Sequence, residues 1–332
     1  MRVAVLGTGT WGTALAQLLC DNSHQVIMYG IEKDEVNDIA YNHQNSKYFG
    51  VDVLLPADLK ATTDISLALK GAEVIILAVP TSSLRSLLND IKPYLEGKPY
   101  LVSVAKGFDT ISHKRLSEVI REVIDEDHRE EIVSLIGPGH AEEVILRLLT
   151  CVTATSKDLK SAEVIQKLFS NDYFRVYTQV DEIGAEYSVA LKNVIAIASG
   201  MVNGIGLGDN ARAALITRGL VEMVRFGTTF GGEERTYLGL TGLGDLIVTC
   251  NSRHSRNFMA GEEIGKANSS KDFLKNNHKT VEGIRTSKVV HDIAKEYNID
   301  MPITEAVYQV LYEGKRPKDA LSEIMKRELK KE

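Results

Sequence analysis

The sequence predicts an α/β domain with a doubly wound, mainly parallel sheet over residues 1-183, followed by an all-α domain over residues 184-332. Three observations carry this. Short apolar runs alternate with helical patterns through the first half, as in a parallel sheet covered by helices. A glycine-punctuated turn joins the first such run to a helix. From about Asp181 onward strand signals almost vanish and long helical patterns take over. The length, 332 residues, exceeds that of a usual single domain, so two domains are expected.

The first strand is the β-branched run Met1-Arg-Val-Ala-Val-Leu6, and a helical pattern over residues 13–20 follows the turn Gly7-Thr8-Gly9-Thr10-Trp11-Gly12. In this order the glycines have separate tasks: Gly7 permits the tight turn, Gly9 lets backbone approach a pyrophosphate, and Gly12 lets the helix pack closely on the strand. Free N–H groups at the helix start then face the phosphates, which makes the first domain a Rossmann-type dinucleotide site. Residues 25–29, 74–79, 100–104 and 132–136 read as further buried strands. Weaker strands at 152–155 and 174–177, separated by a helix over 159–169, extend the sheet. The second domain opens with a helix from Gly184 to Ser199, and the cleft between domains is the default binding place. The closing charge run 326–332 reads as a solvated helix end.

Composition narrows the function. With 44% hydrophobic and 25% charged residues the chain is an ordinary globular protein. A formal charge of −6 argues against a general nucleic-acid or anionic-membrane surface, while leaving room for a local basic pocket. Cys20, Cys151 and Cys250 are sparse and lack CxxC spacing, which fits a reducing cytosol and neither a disulfide framework nor structural zinc. No metal is expected. No apolar stretch reaches the roughly 18 residues of a membrane span, and glycines interrupt any signal-like run between Val3 and Cys20.

On the cofactor side, Glu32 lies at the spacing where an acid accepts the ribose hydroxyls of NAD. The neighbouring Lys33 would suit the extra phosphate of NADP instead, and both also fit a solvated helix start. Thr10 can bond a pyrophosphate, and Trp11 is the only tryptophan. Lys106-Gly107 stands just past a buried strand, at the carboxyl edge where such sheets bind ligands. Gly137-Pro138-Gly139-His140-Ala141 closes a strand and opens a helix, offering backbone N–H groups to an anion. Lys192 is the sharper case, because it sits with Asn193 inside an otherwise apolar helix, and burying an ammonium is costly unless it has partners or a task. A lysine so placed can give a proton to a nascent alkoxide. Asp245, in Gly242-Leu-Gly-Asp245, can accept from a lysine or a substrate hydroxyl. Ser255, Arg256 and Asn257 suit a phosphate, since guanidinium is a planar donor fork. Each of these is individually also an ordinary cap or surface residue.

The whole set resembles bacterial NAD(P)-dependent glycerol-3-phosphate dehydrogenase. The resemblance rests on Gly7-Thr-Gly-Thr-Trp-Gly12, Asn42-His-Gln-Asn45, Ala105-Lys-Gly107, Gly137-Pro138, His140-Ala-Glu-Glu-Val144, Ala190-Leu-Lys-Asn-Val194, Gly208-Asp-Asn210, Ala214-Leu-Ile-Thr-Arg-Gly219, Gly242-Leu-Gly-Asp245 and Ser255-Arg-Asn257, in order along nearly the whole chain. It implies a cytoplasmic, usually dimeric enzyme that reversibly reduces dihydroxyacetone phosphate to sn-glycerol 3-phosphate for glycerophospholipid synthesis. It also implies Lys192 as proton donor or acceptor, with Lys106, Asp245, Thr249 and Asn193 around the reacting carbonyl. Ser255, Arg256 and Asn257 would hold the substrate phosphate, beside Gly137 and Gly139. The cofactor would meet Gly7, Gly9, Thr10, Trp11, Gly12, Glu32, Lys106, Ala141, Arg256 and Glu282.

Two departures qualify this. The family usually has Gly-Pro-Ser where this chain has Gly137-Pro-Gly139, so a hydroxyl contact is replaced by backbone N–H groups. Its NADP-using members carry a basic residue just after the second strand, where Ile31-Glu32 stands here, so NADH is expected to serve at least as well as NADPH. Other readings are a different β-hydroxyacid-type dehydrogenase, a sugar-nucleotide dehydrogenase, or a dinucleotide-sensing module. The second would need Cys250 as nucleophile, although its apolar neighbours suit a packed thiol. The third has no use for Lys106, Lys192, Asp245 and Arg256 together.

Overall fold

A computed structural model describes residues 1–277 and 279–329, and the last three residues of the C-terminal charge run lie outside the described part. The chain divides into two compact units, Met1–Glu182 and Ile183–Glu332.

The first unit holds strands β1 (Arg2–Leu6), β2 (Gln25–Tyr29), β3 (Lys60–Thr62), β4 (Val74–Leu77), β5 (Tyr100–Ser103), β6 (Val133–Ile136), β7 (Thr150–Thr155) and β8 (Phe174–Gln179). They form one sheet in the order β3-β2-β1-β4-β5-β6-β7-β8. Every neighbouring pair is parallel except β6 with β7. The doubly wound, mainly parallel sheet is therefore as expected, and the two weaker strands do extend it. Two details differ from the sequence reading. The three-residue edge strand β3 has little apolar signal, with Lys60 exposed. Strand β7 runs antiparallel to β6, and the connection between them holds only the one-turn helix Ala141–Val144.

Helices α1 (Thr10–Asp21), α2 (Lys33–Asn37), α3 (Ser46–Phe49), α4 (Ile65–Leu69), α5 (Thr81–Ile91), α6 (Leu116–Val123), α7 (Ala141–Val144) and α8 (Leu159–Phe169) complete this unit. Two apolar cores line the sheet. One takes Val3 and Val5 with Leu15, Leu18, Leu19 and Phe169; the other takes Ala4 and Leu6 with Leu84, Leu88, Val119 and Ile120. Alternate residues of β1 thus face opposite layers, as a strand buried on both sides requires.

The second unit is helical among its described residues: α9 (Glu182–Ile205, whose first residue closes the first unit), α10 (Gly208–Thr229), α11 (Asp245–Asn251), α12 (Arg256–Ala267), α13 (Lys271–Asn276), α14 (Glu282–Glu296), α15 (Pro302–Tyr312) and α16 (Pro317–Met325). Contrary to the expectation that no segment reaches spanning length, α9 is long and apolar enough to cross a membrane. Its most apolar window is 83% buried inside the protein, which is the environment of a core helix.

Candidate active site

In the first unit the strand order turns from β2 to β4 on either side of β1, and the loops beyond their carboxyl ends meet there. Gly7 has φ +123°, and a Cβ on it would lie 2.4 Å from Ala78 O, just past β4. A Cβ on Gly12 would lie 2.4 Å from Gly7 O, so α1 starts in contact with the turn. Gly9, by contrast, faces open space. It is the N-cap of α1, whose first turn has no side-chain cap and no acid, leaving the N–H groups around Thr10, Trp11 and Gly12 suited to an anion. An open cradle over Gly9 above an uncapped helix start fits a dinucleotide pyrophosphate.

Two residues without an assigned role in the sequence reading brace this turn. Asn45 is 1% exposed, and its Nδ2 donates to Thr8 O and to Thr13 Oγ1, both at 2.8 Å. Glu35 is buried, accepts from Thr8 Oγ1 at 2.6 Å and pairs with Lys47. Asn45 belongs to the Asn42-His-Gln-Asn45 motif, whereas Glu35 stands in a run of charges that reads as a solvated helix start. Burial of that single carboxylate is a long-range fact, set by Thr8. Its neighbour Glu32 is exposed, three residues beyond β2, at the N-cap of α2.

Lys106 follows β5 and donates from Nζ to Gly137 O at 2.6 Å. Gly137 has φ +144°, and a Cβ on it would crowd Val152 Cα at 3.1 Å. Gly139 lies against the tryptophan: a Cβ there would stand 2.9 Å from Trp11 Cη2. A side chain at this place would require the indole to shift. Ala141 is buried at the start of α7, whose N-cap His140 makes no side-chain cap bond.

In the second unit Lys192 and Asp245 are 5% and 1% exposed. Lys192 Nζ donates to Asp245 Oδ1 at 2.8 Å and to Thr249 Oγ1 at 2.6 Å. The glycines before Asp245 explain its placement. They form a wide turn (Leu240–Gly244) in which a Cβ on Gly242 would lie 2.1 Å from Tyr237 O, so the turn rests on that backbone and delivers Asp245 as the first residue of α11. Thr249, one turn later, donates its own proton to Asp245 O at 2.6 Å, which aims its oxygen at the lysine. Cys250 is fully buried, and burial pushes its thiol up to about 12, so it is no nucleophile at neutral pH.

Ser255 is the N-cap of α12, its Oγ accepting from Phe258 N at 3.2 Å. Arg256 is exposed at the first position of that helix. Asn257 is more engaged than a simple phosphate ligand: its Nδ2 donates to Asn193 Oδ1 at 3.0 Å, and its Oδ1 accepts from Gly283 N at 2.8 Å. The preceding residue, Glu282, is half-buried at the start of α14. The structure thus joins Lys192 with Asp245 and Thr249, Asn193 with Asn257, Lys106 with Gly137, and Trp11 with Gly139.

Two family models match: the N-terminal part of NAD-dependent glycerol-3-phosphate dehydrogenase over residues 2–162, and its C-terminal part over residues 181–322. The chain belongs to the NAD-dependent glycerol-3-phosphate dehydrogenase family. A relative from Lacticaseibacillus paracasei, named glycerol-3-phosphate dehydrogenase [NAD(P)+], is 47% identical across 100% of this chain and 96% of its own length. A second of the same name, from Bacillus velezensis, is 48% identical across 98% of this chain and 94% of its own. The crystal structure of glycerol-3-phosphate dehydrogenase from Coxiella burnetii superposes with a TM-score of 0.91 at 34% identity, covering 98% of this chain and 99% of that one. An NAD(P)-dependent oxidoreductase is therefore established at family level.

Proposed function

We propose that this enzyme reduces dihydroxyacetone phosphate reversibly to sn-glycerol 3-phosphate, and that its physiological role is to supply glycerophospholipid synthesis. The observation that carries the reading is the buried ammonium of Lys192, held by Asp245 and Thr249 in an otherwise apolar helix. A bound nicotinamide dinucleotide supplies the hydride. Negative charge then grows on the carbonyl oxygen, and Lys192 gives it a proton while Asp245 orients the ammonium and offsets the charge left behind. Lys106 is assigned to stabilise the same oxygen, and Asn193 to position the substrate.

Arg256 is assigned as the anchor of the remote phosphate, with Ser255, Asn257 and the backbone of Gly137 and Gly139 around it. Binding energy at the phosphate can then be used to hold the carbonyl in place. The cofactor is assigned to the turn from Gly7 through Gly12, to Glu32 at the ribose, and to Lys106, Ala141, Arg256 and Glu282. Exposure of Glu32 beyond β2, with no basic residue at Ile31, supports use of NADH at least as well as NADPH. A homodimer working in the cytoplasm completes the proposal.

The test is product analysis. Purified protein with NADH or NADPH should convert dihydroxyacetone phosphate to sn-glycerol 3-phosphate and leave unphosphorylated dihydroxyacetone essentially untouched. Tight cofactor binding with no product from either ketone would overturn the assignment, and a clear NADPH preference in kcat/KM would overturn the cofactor preference alone.

A further inference from the structure

The second unit holds a cavity of about 650 Å³ between α14, α15 and α16, and none of the residues assigned above to substrate or cofactor lines it. That is the size of a small-molecule site. Its apolar lining includes Ala294, Ile299, Met301, Ala306 and Ile324. The carboxylates that line it are each engaged: Asp300 with Arg327 at 2.8 Å, Glu305 with His291 at 2.6 Å, and Glu323 with Lys315.

Two groups are left over, one turn apart on α14. His291 is 4% exposed, and its ring stacks on Tyr308 with centroids 3.6 Å apart. A carboxylate only accepts, so the proton of the bond to Glu305 sits on Nδ1, and Nε2 has no partner among the described residues. With the ring so buried and lining the cavity, that nitrogen is available only to what enters it. Lys295 follows at i+4, on the same helix face, and lines the same cavity. It is exposed, and its ammonium likewise has no partner among the described residues.

We infer that this cavity is a second ligand site, for a phosphate monoester that carries an apolar body of several carbons. Lys295 takes the charge of the head group, His291 Nε2 takes a hydrogen bond, and the apolar lining takes the body. A phosphate monoester satisfies both polar groups where a carboxylate does not. Its oxygens accept from the ammonium, and its remaining hydroxyl, kept in part near neutrality because the second pKa is about 6, donates to Nε2.

Calorimetric titration of the full chain with hexyl phosphate tests this, with hexanoate, hexan-1-ol and inorganic phosphate as incomplete probes. Hexyl phosphate should bind at least about tenfold more tightly than any of the three, since each lacks the hydroxyl, the charge or the apolar body. Lys295→Ala should raise its Kd by at least about tenfold, and Lys295→Arg, which keeps the charge, by less than about threefold. His291→Phe keeps the stack on Tyr308 without the nitrogens and should raise Kd by about fivefold. Lys295→Ala and His291→Phe should hold kcat/KM for dihydroxyacetone phosphate within about twofold, and Arg256→Ala should bind hexyl phosphate as wild type does.

Equal affinity for hexyl phosphate and hexan-1-ol, or an unchanged Kd in Lys295→Ala or in His291→Phe, would overturn the site. Loss of binding in Arg256→Ala alone would place the ligand in the substrate site and overturn it equally. Should His291→Phe be recovered unfolded, the Lys295 pair decides alone. A wild type that binds hexyl phosphate in this pattern but reduces no ketone would overturn the proposed function and leave the cavity site standing.

Discussion

Two of the buried ionic clusters among the described residues differ in what they can do. In the first unit Glu182, 2% exposed, accepts from Arg121 at 2.8 and 2.7 Å through both oxygens, from Arg115 at 3.1 Å and from Ser117 at 2.9 Å. In the second unit Lys192 is held by Asp245 and Thr249. Burial alone would push the Glu182 carboxyl up, but the Arg121 bonds and charge, then Ser117 and Arg115, outweigh it and hold the carboxyl below the usual range. The guanidiniums cannot shed a proton at any ordinary pH. That cluster is a fixed charge lock joining the Arg115–α6 segment to Glu182. A lysine, by contrast, can part with its proton, and here its partners include the Asp245 carboxylate and the Thr249 hydroxyl. Permanent cations make a lock; a titratable one makes an acid.

The largest effect that separates the two is expected from Lys192→Ala, which should lower kcat by about a thousandfold or more while NADH titrations stay within about twofold. Steady-state rates with equilibrium cofactor binding on the same sample check it. Glu182→Gln should act on stability alone, costing about 3 kcal/mol because two guanidiniums lose their buried counter-charge. Chemical denaturation would measure it, with kcat per folded molecule unchanged. The sign with pH follows from the lowered carboxyl: its contribution is complete above the ordinary glutamate value of 4.5 and fades as pH falls through the lower folded value. Glu182→Gln should therefore destabilise at pH 7 and progressively less below pH 4.5.

Arg256→Ala comes next, because this guanidinium is exposed and screened. It should raise KM for the phosphorylated ketone by about thirtyfold with a smaller change in kcat. An effect confined to cofactor affinity would reassign it. The smallest effect belongs to Glu32: Glu32→Gln should lower the NADH to NADPH preference by less than about tenfold, read as a ratio of kcat/KM values.

Much of this was legible in the residues. The strand, glycine turn and helix at the N-terminus are local patterns, and the structure has Gly7 in a tight turn, Gly12 packed against that turn and Gly9 facing open space. Lys192 stood out because a charge in an apolar helix must find a partner, and Asp245 supplies it. What stayed hidden depends on contacts distant in sequence. Glu35 reads as one charge among several until Thr8 is placed beside it. The reversal of β7 is a matter of which strand it pairs with, and no local pattern announces it. The contact of Gly139 with Trp11 likewise joins residues far apart in the chain.

The most direct test of the central contrast is kcat for Lys192→Arg with saturating dihydroxyacetone phosphate and NADH, measured with Tm and NADH affinity on the same protein. Arginine keeps the positive charge beside Asp245 but holds its proton. If Lys192 works by giving up a proton, kcat should fall below about 1% of wild type while folding and cofactor binding are retained. Turnover near the wild-type level would show that a fixed charge suffices, and that the two clusters do not differ in the way proposed.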